Sequence, residues 1–370
     1  MKVSLWKWIG IIALAIAPAI ILWASPVSHS ARGEISENAL RGRILRVVRE
    51  RYSIPKNVQV MMGPLESSQN TSYYECLLTV NKDNKKRSQP VSISKNGQYL
   101  AMSPMLYLGP DTSAEIVRNV RVYFKLGPEW HLSDGSLRES SVPGFYETQV
   151  TAEKNGQKQA QNFFVTADKH YLVLGQVYIV RSHSEVQQMI NKQNQPCSGP
   201  ANAPVTIVEY ADLECPSCAR LQPFLENQLL PRYGNKVRLI YKDFPLPMHT
   251  WARQGAVASQ CAYEVDPSAF ARYRTLVFAH QSEINVTNVR DQLLQLAEQA
   301  GINRLKLAAC MDSNASLSRV EEDVKEGNKL QVMETPTCFI NGRMVAGLQP
   351  PEAYYEVIDA DLQHDGSGGR

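Results

Sequence analysis

Cys215-Pro216-Ser217-Cys218 stands between two stretches of different periodicity, and no other feature restricts the fold of this chain as much. Before it, Val205–Tyr210 is a short β-branched apolar run, the signature of a buried strand. Ala211–Glu214 reads as a loop. After the motif, Leu221, Phe224, Leu225 and Leu229 recur at helical spacing. Pro231 is expected to end that helix, and Val237–Tyr241 reads as the next strand. The order strand, loop, helix, strand puts both cysteines at a helix N-terminus.

The placement has chemical consequences. Unpaired backbone N–H groups and the helix dipole favour an anion there. A thiolate at Cys215 is therefore stabilised, and it is the thiolate that attacks or leaves in disulfide exchange. Pro216 lacks an N–H that the first turn leaves unpaired anyway. Cys218 lies one turn on, within reach of a disulfide. Half a zinc site and a structural disulfide are the alternatives for a bare Cys-x-x-Cys. The first lacks a second pair at suitable spacing.

Downstream, Glu334-Thr335-Pro336-Thr337-Cys338-Phe339-Ile340-Asn341-Gly342 reads as a strand, Thr337–Ile340, with a type I′ turn at Asn341-Gly342 and a return strand over Arg343–Val345. A helix over Pro351–Leu362 follows. Between Trp251 and Leu330 the pattern is helical.

With Ala203-Pro204-Val205-Thr206-Ile207-Val208-Glu209-Tyr210, Asp243-Phe244-Pro245-Leu246 and Thr335-Pro336-Thr337, residues from Pro204 to Leu362 resemble the DsbA-type thioredoxin superfamily. The resemblance implies a cis Thr335-Pro336 bond against the active-site disulfide, with Thr335 offering backbone hydrogen bonds to a bound peptide and Pro336 shaping the platform. It implies Cys215 as nucleophile, Cys218 as resolving thiol and Glu209 as a proton relay near Cys218. The apolar neighbours Val208 and Tyr210 favour a buried Glu209 over a surface carboxylate. Cys261 and Cys310 fall in the helical insertion, where the resemblance implies a structural disulfide. Glu334 stands where the family usually has glycine, and a carboxylate there is expected to raise the pKa of Cys215. Cys338 and Cys76 read as core thiols and Cys197 as exposed. Seven cysteines leave at least one outside any internal pair.

The N-terminal half carries a register of its own. At an offset of 72 residues, Ile44, Arg46, Val48 and Arg49 match Ile116, Arg118, Val120 and Arg121. Tyr74-Glu75 matches Tyr146-Glu147, and Tyr99-Leu100 matches Tyr171-Leu172. The period exceeds that of solenoids and suggests a duplicated domain. Each copy opens with a helical pattern (Leu40, Ile44, Val47, Val48 and Tyr52 in the first, ended by Pro55). Strands are expected over Val58–Met62, Tyr73–Val80, Gln89–Ser94 and Tyr99–Tyr107. In the second copy they fall on Phe145–Ala152, Asn162–Thr166 and Tyr171–Val180, with a hairpin turn at Asn155-Gly156. Each copy thus reads as one helix on a small antiparallel sheet. Val142-Pro143-Gly144-Phe145-Tyr146-Glu147 with Tyr171-Leu172-Val173-Leu174-Gly175 resembles the dimerisation domain of DsbC and DsbG. Generic exported α+β modules are the alternative.

Lys2 and Lys7 precede an apolar run from Trp8 to Trp23, followed by small and polar residues. That layout reads as a secretory signal peptide or an uncleaved signal anchor, with the rest of the chain outside. A net charge of +3 makes no case for nucleic acid.

The expected organisation is a signal peptide or signal anchor over 1–31, α+β repeats over 34–110 and 111–183, a linker over 184–203, and a thioredoxin-like α/β domain over 204–365 with a helical insertion at about 249–330. The expected activity is extracytoplasmic thiol-disulfide exchange on protein disulfides. Disulfide isomerase or reductase, and a chaperone-like binding protein using the N-terminal repeats, are the alternatives. No metal, flavin or nucleotide cofactor is implied. The expected partners are exported protein clients and a redox partner that recycles the cysteines, with membrane contact only through the N-terminal segment.

Overall fold

The computed structural model describes residues 35–68, 72–82 and 85–367. The segment read as a signal or anchor lies outside them. No described helix is long and apolar enough to cross a membrane. Two compact units form among the described residues, one of 35–47 with 55–180, the other of 48–54 with 181–367.

The first unit begins with α1 (Glu37–Arg51), which passes into the second unit at Val48. Its Leu40, Ile44, Val47 and Val48 are buried, whereas Tyr52 lies beyond the helix and is exposed. Strands β1 (Gln59–Met62), β2 (Glu66–Ser67), β3 (Tyr73–Lys82), β4 (Lys85–Ser94), β5 (Tyr99–Ala101) and β6 (Met105–Tyr107) follow. Then come α2 (Thr112–Tyr123), β7 (His131–Asp134), β8 (Arg138–Glu139), β9 (Phe145–Lys154), β10 (Gln157–Thr166), β11 (Tyr171–Val173) and β12 (Val177–Ile179). Every one of β7 to β12 begins and ends 72 residues after its counterpart among β1 to β6. Asn155 and Gly156 take positive φ in the β9–β10 hairpin, the geometry of a type I′ turn.

The strand read as continuous over Tyr99–Tyr107 is broken, and so is Tyr171–Val180. Their two halves enter different sheets. One sheet runs β1-β3-β4-β5-β12 with β2 beside β3, the other β6-β11-β10-β9-β7 with β8 beside β9. The first half of the unit therefore lends β6 to the second sheet, and the second half returns β12 to the first. Tyr99 pairs with Ile179, and Tyr107 with Tyr171, the same positions with the halves interchanged. The break has a local cause. Pro104 cannot donate to a ladder, and Met102 N–H turns to the Gln176 carbonyl at 2.8 Å. One buried cluster draws on strands of both sheets and holds Tyr73 with Phe145, Ala101 with Val173 and Met105 with Val177, each pair 72 residues apart. This is the isologous pattern of a two-fold interface, inside one chain.

The second unit is built on a sheet of order β13-β15-β14-β16-β17. The stretch read as a linker supplies α3 (His183–Met189), capped by a reciprocal Ser182–Glu185 box, and the edge strand β13 (Cys197–Ser198). It packs here because Val186, Met189, Ile190 and Cys197 lie against the apolar cluster on one face of the sheet. Strand β14 (Val205–Ala211) leads into α4 (Pro216–Phe224). Pro231 does not end the helical run. A π-helical turn over Leu225–Leu229 shifts the hydrogen-bond ladder, and Pro231 enters the first turn of α5 (Leu230–Tyr233), where no N–H is needed. Gly234, at φ 54°, ends it.

Strand β15 (Val237–Asp243) runs parallel to β14, and five helices follow: α6 (Ala252–Val265), α7 (Phe270–Ala279), α8 (Val289–Gln299), α9 (Arg304–Met311) and α10 (Asn314–Lys329). Cys261 and Cys310 form a disulfide that ties α6 to α9. Strands β16 (Thr337–Ile340) and β17 (Arg343–Ala346) make a hairpin antiparallel to β14, and α11 (Pro351–Ser367) closes the unit. Alternation sends Val205, Ile207 and Ala211 of β14 to the face under α4 and α7, and Val208 and Tyr210 to the other. Burying each aliphatic chain of this core contributes about 1.5–3 kcal/mol.

Candidate active site

Cys215 is the N-cap of α4 and Pro216 its first helical residue. The loop before it is pinned by two carboxylates. Asp212 accepts from the N–H groups of Glu214 at 2.8 Å and Leu246 at 2.8 Å, and pairs with His249 Nδ1 at 2.6 Å. Its carbonyl accepts the Cys215 N–H at 3.0 Å. Glu214 in turn accepts from the backbone N–H groups of Trp251 and Ala252, capping the start of α6. Cys215 therefore sits on a loop held from both sides.

Cys215 is 6% exposed and Cys218 is fully buried, and both are free thiols. The Cys215 thiol donates to the Thr335 carbonyl at 3.3 Å. Thr335-Pro336 is cis, and both residues are buried. Thr335 and Cys215 thus meet, although 120 positions separate them. A hydrogen bond from the Cys218 thiol, then the Thr335 hydroxyl and the N–H groups of Cys218 and Ser217, outweigh burial and bring the Cys215 thiol down to about 5. Burial first, then the bond to Cys215 and the Glu209 charge, push Cys218 well up. Two thiols one turn apart are driven in opposite directions.

Glu334 lies within electrostatic reach of Cys215. Burial and then the Cys215 charge push its carboxyl up. It does not leave Cys215 with a raised pKa, because the donors at the helix N-terminus prevail.

Glu209 is fully buried on the face of β14 that α4 and α7 cover. It sits directly opposite Cys338 across the β14–β16 pairing. Burial pushes its carboxyl up, opposed by the charge of Arg274. Arg274 Nη2 donates to Glu209 Oε2 at 2.7 Å, and the two side chains are 1% and 0% exposed. Arg274 Nε donates to Gln222 Oε1 at 3.1 Å, and the guanidinium lies over the ring of Tyr241, 4.9 Å from its centroid. Arg274 belongs to no motif in the sequence. Its signal was an arginine on an otherwise apolar helix stripe, with Phe270, Val277 and Phe278 at helical spacing and all buried. Among the other cysteines, Cys338 and Cys76 are buried and Cys197 is partly exposed.

Residues 191–360 match the family model described as Thioredoxin. Among curated relatives, the disulfide bond formation protein D of Bacillus subtilis is 26% identical over 174 residues, 46% of this chain and 78% of that protein. A protein named Na(+)/H(+) antiporter NhaA 3, of Salinispora tropica, is 35% identical over 146 residues. That match spans 39% of this chain but only 21% of the relative's length. Among solved structures, oxidised BdbD of Bacillus subtilis superposes with a TM-score of 0.44 at 24% identity, covering 47% of this chain and 95% of that one. The alpha-DsbA2 protein of Wolbachia pipientis does so with 0.43 at 19% identity, covering 48% and 92%.

Proposed function

We propose that this protein exchanges disulfides with other proteins through Cys215 and Cys218, outside the cytoplasm, a reading supported by the match of residues 191–360 to the Thioredoxin family model and by their likeness to a disulfide bond formation protein. The observation that carries the reading is the opposed pair of thiols: Cys215 down to about 5 and held at a helix N-terminus, Cys218 buried and pushed up. A well-stabilised Cys215 thiolate is a good leaving group, which favours donating the disulfide to a client over keeping it. The direction of transfer is then client oxidation. In that cycle a client thiolate attacks Cys215 and displaces Cys218. A second client thiolate then attacks the mixed disulfide and releases Cys215. A redox partner restores the disulfide. Thr335 and Pro336 form the surface on which the client backbone lies. The clients are exported proteins.

The paired modules of the first unit favour a second reading, disulfide isomerisation, through their resemblance to the DsbC and DsbG dimerisation domain. One experiment separates the two. The purified protein is given a reduced client and, separately, a scrambled one. Rapid oxidation without rescue of the scrambled client is the expected result. Rescue without oxidation assigns isomerisation. Loss of both activities in Cys215→Ser is expected of either enzyme, and an unchanged anti-aggregation effect in that variant identifies a binding protein instead.

A further inference from the structure

We infer that Arg274, reaching in from the helical insertion, is the positioning residue that holds Glu209 as a carboxylate with one oxygen left to take the Cys218 proton. This rests on the reading that Cys215 and Cys218 exchange disulfides.

The geometry divides the carboxylate into two halves. Oε2 is engaged by Arg274 Nη2. Oε1 is buried and has no hydrogen-bond partner among the described residues, and the same holds for Arg274 Nη1. The guanidinium is itself fixed. Gln222, one turn beyond Cys218 on α4, accepts from its Nε, and the rings of Tyr241 and Phe278 flank it at 4.9 and 5.2 Å. So the active-site helix supplies both the resolving thiol and the group that aims the cation. Glu209 is faced by Cys218 and Glu226 from the active-site helical run, by Cys338 from β16, by Tyr354 from α11 and by Arg274 from α7. Asp243 and Tyr241 on β15 face Arg274. Arg274 is the cation in this set. Without it, burial and Glu226 both favour the neutral acid, which cannot accept a proton.

The step concerned is reoxidation. An incoming disulfide is attacked by the Cys215 thiolate, giving a mixed disulfide and releasing one thiolate. The Cys218 S–H then passes its proton to Glu209, and its sulfur attacks Cys215 Sγ. The Cys215–Cys218 bond forms, and the second half of the incoming disulfide leaves as a thiolate and is protonated by solvent. Two electrons pass from the protein to the incoming disulfide. The first attack needs no base, because Cys215 is already ionised; the second does.

The test follows the reduced full chain reacting with oxidised glutathione, with acid quenching and mass measurement of the Cys215–glutathione adduct. In the wild type the adduct is expected to decay as fast as it forms at pH 7. In Arg274→Met its formation is expected at the wild-type rate and its decay slower by roughly 10²-fold, the size of a lost general base. That decay recovers as pH rises and hydroxide replaces the base. Arg274→Lys, which keeps the charge, is expected to restore most of the rate, and Glu209→Gln to match Arg274→Met. The double variant Arg274→Met/Glu209→Gln, which removes both buried charges, serves if Arg274→Met does not fold, and is expected to decay no more slowly than Glu209→Gln. Wild-type decay in Arg274→Met overturns the inference. So does equal slowing of both steps, or decay in the double variant slower than in Glu209→Gln. A wild-type protein that forms no adduct and no disulfide refutes the thiol-exchange reading itself.

Discussion

Cys215 donates its thiol to the carbonyl of Thr335, the residue on the N-terminal side of the cis bond to Pro336. Two segments far apart in the sequence thereby meet, and the thiol of Cys215 feels groups from both.

The first prediction concerns pH. The Cys215 thiol lies at about 5 in the folded reduced protein, against an ordinary value of 9.0. Its alkylation rate is expected to rise through about pH 5 and level off above it. A depressed pKa stabilises the fold above the unfolded value and loses that stability as pH falls through the folded one. The reduced protein is therefore expected to gain stability relative to the oxidised one as pH rises from about 5 to about 9. Thermal unfolding of both forms across this range checks it; a flat difference contradicts the assigned thiolate.

Glu334 adds a like charge beside that thiolate. Glu334→Gln is expected to move the alkylation midpoint of Cys215 down by less than about one pH unit, since the side chain is solvent-screened. An upward move is incompatible with the repulsion.

The loop in front of Cys215 hangs on Asp212, which takes the N–H groups of Glu214 and Leu246 and the His249 ring. Asp212→Ala leaves buried donors without a partner and is expected to cost about 2–4 kcal/mol. Urea unfolding measures the loss. A cost below about 0.5 kcal/mol, the scatter of ordinary surface changes, contradicts the pinning role.

At the crossing of the two exchanged strands, a Cβ on Gly175 would lie 2.3 Å from the Met102 carbonyl oxygen. Backbone cannot move aside as a side chain does. Gly175→Ala is expected to destabilise the first unit by about 1–3 kcal/mol through overpacking, read as earlier proteolysis within residues 35–180, with Cys215 alkylation unchanged.

Replacing Cys261 and Cys310 together by alanine opens a loop of sequence separation 49. Loop-closure entropy sets the expected loss at about 4 kcal/mol. The midpoint of unfolding should fall by an amount that reductant reproduces in the wild type.

The active-site helix, the hairpin at Asn341-Gly342 and the strands around them were legible because each is written in local periodicity and turn chemistry. Val208 and Tyr210, the chain neighbours whose apolar character favours a buried Glu209, face the opposite side of the sheet. The relevant neighbours are Ile207 and Ala211, two positions away on the same face. Arg274 was not legible as a partner because 65 residues separate it from Glu209, and no local pattern carries so distant an ion pair. Pro231 misled because a π turn upstream changed which N–H groups the helix needs.

The sequence by itself determined the two halves of the chain, the offset of 72 residues between like strands in the first, and the Cys-x-x-Cys at a helix start in the second. All three follow from contacts close along the chain, or from likeness between segments. Tertiary structure alone decided which sheet β6 and β12 complete, which cation meets Glu209, and that Thr335 turns its carbonyl to Cys215. A strand carries the same alternation whichever partner it joins, and a buried charge takes whichever counter-charge the packing brings within reach.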